Sequence, residues 1–487
     1  MDARPLDHLT SFGKRDAIAY EGKGATLTYA ALDTRVGGIA ARLVAEGIVP
    51  GDRVATWMGK NVLTCLMPLA AARAGAVHVP INPVLKAGQA AHILADSGAK
   101  LLVANTGRLK GLDTALRTIA QEEWTDGDDP LGMSDHDPDS LAALLYTSGS
   151  TGKPKGVMLS HANLWYGAEA VADYTKITPE TRNLAVMPLA FDYGQNQLLA
   201  TWRGGGTVIP FDYLLPNDVK KAIARHKATY LAGIPPLWHQ LMALDWDGEG
   251  ETLRTLTNTG GHMAETLYRQ LRETFPKADI HLMYGLTEAF RAASLDPALA
   301  DANPGSVGKA IPHAELMVVR DDGSPTEAGQ EGELVQAGPL VAQGYWQNEE
   351  KTAARFRPAP AHSSYGGTAV WSGDRFVRDA NGLLYFRARA DAMIKVSGNR
   401  ISPTEIEDVA LEHGGVHQAV MTAEADAERG AAIILHVVGD GDEAALLSHF
   451  RKVAPSHFMP RRIVWHKALP TGATGKVDRK ALEKMSA

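Results

Sequence analysis

A single cysteine, Cys65, stands among 487 residues, so no disulfide framework can form within the chain. It falls in the apolar stretch 62–72 and reads as a buried, inert thiol. No uninterrupted apolar run reaches the roughly eighteen residues that a membrane span needs. The first residues carry neither the basic start nor the apolar stretch of a secretory signal, and the expected compartment is the cytoplasm. Basic residues are outnumbered, 49 against 56 acidic, and the net charge of −7 argues against non-specific nucleic-acid binding. Internal repeats and low-complexity segments are also missing.

What is present is the composition of a soluble globular protein, 45% hydrophobic and 22% charged, in a chain too long for one ordinary core. Its most informative stretch is 146–156, Tyr-Thr-Ser-Gly-Ser-Thr-Gly-Lys-Pro-Lys-Gly, between the strand-like residues 141–145 and 157–159. Glycines let backbone N–H groups approach an anion, hydroxyls add donors, and Lys153 and Lys155 match phosphate charge. The stretch therefore reads as a polyphosphate cradle. Pro154 after Lys153 and the failed glycine spacing exclude a Walker loop.

Around this loop the chain alternates helix and strand signals, which predicts parallel strands covered by helices. Thr28 is the expected cap of a helix with Leu32, Val36, Ile39, Ala40, Leu43 and Val44 on its apolar face. Residues 121–140 hold eight acidic side chains plus Gly and Pro, and read as a solvated excursion without metal-ligand spacing. Beyond the loop, a strand over 183–189 leads into 190–194 and a helix from about 198. Further strands at 228–234, 253–258 and 280–284 end in glycine-marked polar loops, where open α/β sheets bind ligands. From about Gly305 the texture is β-rich, and a smaller helix-and-strand unit begins near Asp391.

Six motifs arrive in one order: 146–156; Tyr284-Gly-Leu-Thr-Glu288; Trp371-Ser-Gly-Asp374; Phe386-Arg-Ala-Arg389-Ala-Asp391; Lys395-Val-Ser-Gly-Asn-Arg400 with Glu405 and Glu407; and Pro470-Thr-Gly-Ala-Thr-Gly-Lys476. On these the sequence resembles the adenylate-forming superfamily of acyl-CoA synthetases, stand-alone adenylation enzymes and luciferases, over nearly its whole length. Ala388 and Ala392 depart from the usual pattern, conservatively in size. The resemblance implies an α/β fold. A large N-terminal domain of mixed sheets flanked by helices, with a β-rich subdomain, would span 1–389. A small mobile α+β C-terminal domain would span 390–487, hinged at Asp391.

It also implies two half-reactions: a carboxylate attacks the α-phosphate of ATP to give acyl-AMP and pyrophosphate, and a thiol then displaces AMP. Thr147, Ser148, Gly149, Ser150, Thr151, Gly152 and Lys153 would hold the departing phosphates. Thr287 would contact the α-phosphate, and Glu288 would bind Mg²⁺ with phosphate oxygens. Tyr284 would stack on the adenine, Gly260 and Gly261 would give close backbone approach to the base, and His262, Met283, Gly285 and Leu286 would also belong to the ATP site. Asp374, Phe386 and Arg389 would take the ribose side. Lys476 would reach the carboxylate and α-phosphate as charge develops.

For the acid, the resemblance assigns Asp192, Tyr193, Asn196, Thr257, Thr259 and Arg291. Asp192 stands where amino-acid-activating members pair with the substrate ammonium, and Arg291 would take a second carboxylate. That favours an aspartate-like or other β-amino acid, as in enzymes that supply macrolactam starters. The alternative is that Asp192 and Arg291 neutralise each other around a plain acyl chain, since the same residues resemble acyl-CoA ligases associated with exosortase systems. The acceptor would be the phosphopantetheine of a carrier protein acting in trans, because the chain ends eleven residues after Lys476; free coenzyme A is the other candidate. A non-catalytic nucleotide-binding relative is disfavoured by the presence of both Lys476 and Glu288.

Overall fold

A computed structural model describes residues 2–148, 154–389, 394–396, 399–426, 430–455, 458–472 and 475–486. The expected alternation is realised as two helix-covered sheets. One runs in the order Gly344–Tyr345, Pro154–Ser160, Leu141–Ser148, Val77–Pro80, Arg53–Trp57, Leu101–Ala104 and Arg117–Ala120. Its last five strands are parallel, and the phosphate-loop strands Leu141–Ser148 and Pro154–Ser160 form an antiparallel hairpin. The other sheet sets Thr207–Pro210, Arg182–Ala185, Tyr230–Gly233, Thr255–Asn258 and Asp279–Tyr284 side by side and parallel. It then continues antiparallel through Ala293–Ser294, Ser306–Ala310, Leu384–Arg389, Thr368–Arg378, Glu331–Ala337 and Glu315–Val319, the β-rich region.

Helices Tyr29–Ala45, Val62–Arg73, His161–Tyr174 and Asp192–Arg203 contribute Leu32, Ile39, Cys65, Leu66, Trp165, Leu198 and Trp202 to one continuous core. Burying such side chains is worth about 1.5–3 kcal/mol each, and this is what holds the helices between the sheets. Thr28 caps its helix as expected, accepting from the Ala31 amide. Val44 is exposed, at the fraying end of the apolar stripe.

The acidic stretch is solvated as expected, with no residue of 121–140 buried, and it is tethered along one helix. Gly127 and Leu131 donate backbone hydrogen bonds to Gly38 and Gly37 of the helix Tyr29–Ala45. A Cβ on Gly37 would stand 2.5 Å from the Leu131 carbonyl oxygen, so the paired glycines permit the contact. Asp7, fully buried, binds Ser134 and the buried Arg73. Helix Asp192–Arg203 starts earlier than expected. The strand Arg182–Ala185 stops four residues short of its expected end, residues 186–191 form the connection, and Asp192 becomes the first helical residue.

Residues from about 403 onward build their own sheet, Gln418–Asp426, Gly430–Val438 and Arg462–Trp465, against helices Pro403–Leu411 and Glu443–Val453. Ile401, Ile406, Leu435, Leu446 and Phe450 fill its core. Asp391, the expected hinge, lies outside the described residues.

Candidate active site

The C-terminal ends of the adjacent parallel strands Arg182–Ala185, Tyr230–Gly233, Thr255–Asn258 and Asp279–Tyr284 open on one edge, and the site is assembled there. Asp192 begins its helix at this edge. One carboxylate oxygen accepts from the Thr287 hydroxyl at 3.2 Å, and the other from Arg291 at 2.7 Å. The pair is secluded, with side chains 15% and 5% exposed. Asp192 and Arg291 thus bind each other in this structure.

Arg291 is aimed by an unusual backbone. Phe290 has φ 54 and ψ −47, and the Arg291 amide bonds back to the Ala289 carbonyl, which closes a γ-turn of the strained kind. The Phe290 ring is fully buried in a slot left by Gly167; a Cβ there would sit 2.1 Å from Phe290 Cδ1.

Behind Arg291 lies a narrow cavity whose walls include Val171, Ile177, Tyr193, Tyr230 and Met283. The Tyr193 hydroxyl is bound to Thr257, 2.8 Å from its carbonyl and 2.6 Å from its Oγ1. Asn196 lines the same cavity and donates to the Gly167 carbonyl at 3.3 Å. Thr259 is buried near Gly260 in the chain but is not part of this lining.

On the other side of Thr287 is a cationic cluster. Glu288 is buried, accepts from the Tyr345 hydroxyl at 2.6 Å, and pairs with Lys155 at 3.3 Å. Burial opposes its ionisation most strongly. The Tyr345 hydrogen bond and the charges of Arg355 and Lys155 outweigh that and hold the carboxyl below its usual range. Arg355, which sequence reading missed, lies beside the same groups, its Nε buried and without a partner among the described residues. The motif Thr-Ala-Ala-Arg-Phe gives no sign of it. Thr147, at the base of the phosphate hairpin, also has a buried hydroxyl with no partner among the described residues. Ser148 closes the hairpin backbone opposite Pro154, while Gly149, Ser150, Thr151, Gly152 and Lys153 lie outside the described residues.

Tyr284 donates to Asp374, which pairs with Arg389 at 3.3 Å. Edge-on contacts run from Tyr284 to Phe376 and on to Phe386. Gly260, at φ 78, and Gly261 leave open backbone at the end of the strand Thr255–Asn258, with His262 next to them. Met283 takes a hydrogen bond from Tyr174, Gly285 lies against the Arg291 backbone, and Leu286 packs on the core beneath.

Lys476 enters this space from the C-terminal unit. Its Cε lies 3.0 Å from the point that a Cβ on Gly260 would occupy. Although the residue as a whole is exposed, desolvation lowers the pKa of its ammonium, opposed by Asp192, reinforced by Arg389 and opposed by Asp374. His262 and Asp408 form a second contact between the two units at 3.2 Å. A polyphosphate would therefore meet Thr147, Lys155 and Arg355, with Lys476 on the side facing Asp192. Among the described residues no group of three or more metal-ligating side chains occurs. One buried, ionised carboxylate at Glu288 is what magnesium shared with phosphate oxygens requires.

Comparison with known proteins agrees with this assembly. The AMP-binding enzyme family matches residues 8–346, and its C-terminal domain matches 405–476. Feruloyl-CoA synthase of an Amycolatopsis species is 32% identical over 95% of this chain and 94% of its own. The second subunit of surfactin synthase from Bacillus subtilis is 30% identical over 97% of this chain, which spans only 14% of that much longer protein. The o-succinylbenzoate coenzyme A synthetase of Bacillus subtilis, solved with ATP and magnesium, superposes with a TM-score of 0.86. It is 25% identical, and the match covers 98% of this chain and 99% of that one. Among the described residues, no helix is long and apolar enough to cross a membrane.

Proposed function

The chain belongs to the AMP-binding enzyme family and is an AMP-forming ligase that adenylates an acid with ATP and magnesium; from that premise we propose that the acid is an amino acid, passed on to the thiol of a carrier protein. One observation carries the amino-acid reading: Asp192 is a secluded carboxylate between Thr287 and the acyl cavity, within electrostatic reach of Lys476. A carboxylate so placed costs stability unless cations face it. Arg291 supplies one, and the substrate ammonium would supply a second through the remaining lone pairs. Because Arg291 is already matched by Asp192, the geometry supports an acid without a second free carboxylate better than an aspartate-like one.

In this reading the substrate carboxylate, lying between Thr287 and Lys476, attacks the α-phosphorus as the bond to pyrophosphate breaks. The Lys476 ammonium offsets the negative charge that the two reactants bring together, and its placement over Gly260 aligns it beforehand. Thr147, Lys155 and Arg355 receive the departing phosphates. Glu288 would hold magnesium, which neutralises phosphate charge when bound. Asp374 and Arg389 orient the ribose, and Tyr284 borders the base.

The end-to-end similarity to feruloyl-CoA synthase supports a second reading, a plain acid joined to coenzyme A. A pyrophosphate-release panel separates the two. Activity with amino acids and transfer to a phosphopantetheinylated carrier are expected. Activity with hexanoate and with no amino acid, followed by transfer to coenzyme A, would overturn the proposal.

A further inference from the structure

The lining of the acyl cavity includes four polar side chains that are each at most 4% exposed: Asn183, Asn196, Gln197 and Arg291. Each is half satisfied, and the satisfied half fixes the orientation of the other. Asn183 donates through its amide nitrogen to the Gln197 carbonyl at 3.2 Å and to Thr201 Oγ1 at 2.9 Å, so its oxygen remains. Asn196 donates to the Gly167 carbonyl, and its oxygen also remains. Gln197 accepts from the Met187 amide at 3.1 Å, so its nitrogen remains. Arg291 spends one terminal nitrogen on Asp192 and the Phe290 carbonyl, and its Nε remains. All four remaining atoms are buried and without a partner among the described residues.

Buried groups of this kind cost about 1–3 kcal/mol apiece when left unmet, so a group that meets all four of them is favoured at this cavity. An alkyl or simple aryl tail would leave all of them unmet. A second carboxylate would find two acceptor oxygens among its neighbours, and the charge of Arg291 is already matched by Asp192. What the lining complements is a neutral group offering N–H donors to the Asn183 and Asn196 oxygens and a carbonyl oxygen to Gln197 Nε2 and Arg291 Nε.

We propose that the acid adenylated by this enzyme carries a neutral tail that both donates and accepts hydrogen bonds, a primary carboxamide being the best match, read by Asn183, Asn196, Gln197 and Arg291. The inference rests on the reading that this cavity receives the acid. It does not depend on whether the acid also bears an amino group.

The test is a pyrophosphate-release assay on a homologous series of acids ending in a carboxamide, the isosteric isopropyl group, or a carboxylate, each with and without an amino group. The carboxamide is expected to exceed its isopropyl isostere by roughly 100-fold in kcat/KM at the best chain length. Asn196→Leu and Gln197→Met should shrink that ratio at least tenfold while leaving ATP affinity in place, with a lower thermal midpoint because the Gly167 carbonyl and the Met187 amide lose their partners. If either variant fails to fold, the wild-type ratio decides alone. A preference for isopropyl or carboxylate tails would overturn the inference and leave adenylation standing. So would indifference to the tail, which would mean that water satisfies the four groups. No pyrophosphate release with any acid would overturn both this inference and the function it rests on.

Discussion

Lys476 lies over Gly260, its Cε 3.0 Å from where a β-carbon at position 260 would be. The two residues are more than two hundred positions apart in the chain and belong to different units. Their contact means that the C-terminal unit is docked with its lysine in the strand-end site, the arrangement on which the proposed activation step relies. Gly260→Ala would press a methyl group on Lys476 at a backbone angle, φ 78, that alanine resists at about 1 kcal/mol or more. Adenylation should slow at least tenfold with a small fall in thermal midpoint. Unchanged pyrophosphate release would mean that the contact has no part in activation.

Lys476→Ala is expected to lower carboxylate-dependent ATP–pyrophosphate exchange by ~100-fold or more, the scale of losing one preorganised charge-stabilising group. Thiolysis of supplied acyl-AMP should remain largely intact. Equal loss of both half-reactions would assign the lysine to the fold.

With Lys476 in its proposed role, its lowered pKa is expected to set an alkaline limit to the first half-reaction. Its charge is present below the lowered value and is lost as pH rises through it, earlier than for a lysine at the ordinary 10.5. For folding the sign is reversed. Between the lowered folded value and the unfolded one the unfolded chain binds more protons, so this group favours the folded state as pH rises. Lys476→Arg, charged beyond pH 12 or so, should be slower yet keep its residual rate flat at alkaline pH. Superimposable alkaline limbs in a pyrophosphate-release profile would dismiss the assignment.

Breaking the secluded Asp192–Arg291 pair from one side leaves a buried charge. Asp192→Ala should cost about 3–5 kcal/mol in chemical denaturation. The double replacement Asp192→Ala with Arg291→Met should recover much of that. If Asp192 also receives the ammonium, the double variant keeps activity on des-amino acids and loses it on amino acids. Parallel losses on both would confine Asp192 to pairing with Arg291.

Gly167→Ala would drive a methyl group into the Phe290 ring. It should destabilise by about 1–3 kcal/mol, as overpacking does, and raise KM for the acid more than for ATP through displacement of Arg291. Equal effects on the two KM values would argue against that route.

Much of this is legible in the residues because the informative signals are local. Thr28 announces its helix, and glycines mark the strand ends at Gly260 and Gly285. Helix Pro235–Met242 escapes such a reading because its opening prolines resemble a breaker, although proline suits a first helical turn. Strand Thr368–Arg378 is hidden by Gly373, whose left-handed φ of 66 accompanies a shift of register against Glu331–Ala337. The acidic strap is solvated as its composition says, but its tether is not legible because the partners, Gly37, Gly38 and Arg73, are remote in sequence. Asn183, Gln197 and Arg355 carry no motif, and only the fold shows that parts of their side chains lack partners among the described residues.

The γ-turn at Phe290 has an engineering consequence. The direction in which residue 291 enters the cavity is set by main-chain geometry and by the Phe290 ring seated over Gly167, not by the arginine itself. Replacements at 291 inherit that vector. If the cavity receives the acid as proposed, the position is a port for retuning which acids are accepted, provided that the turn and its glycine seat are left untouched and Asp192 is exchanged along with Arg291.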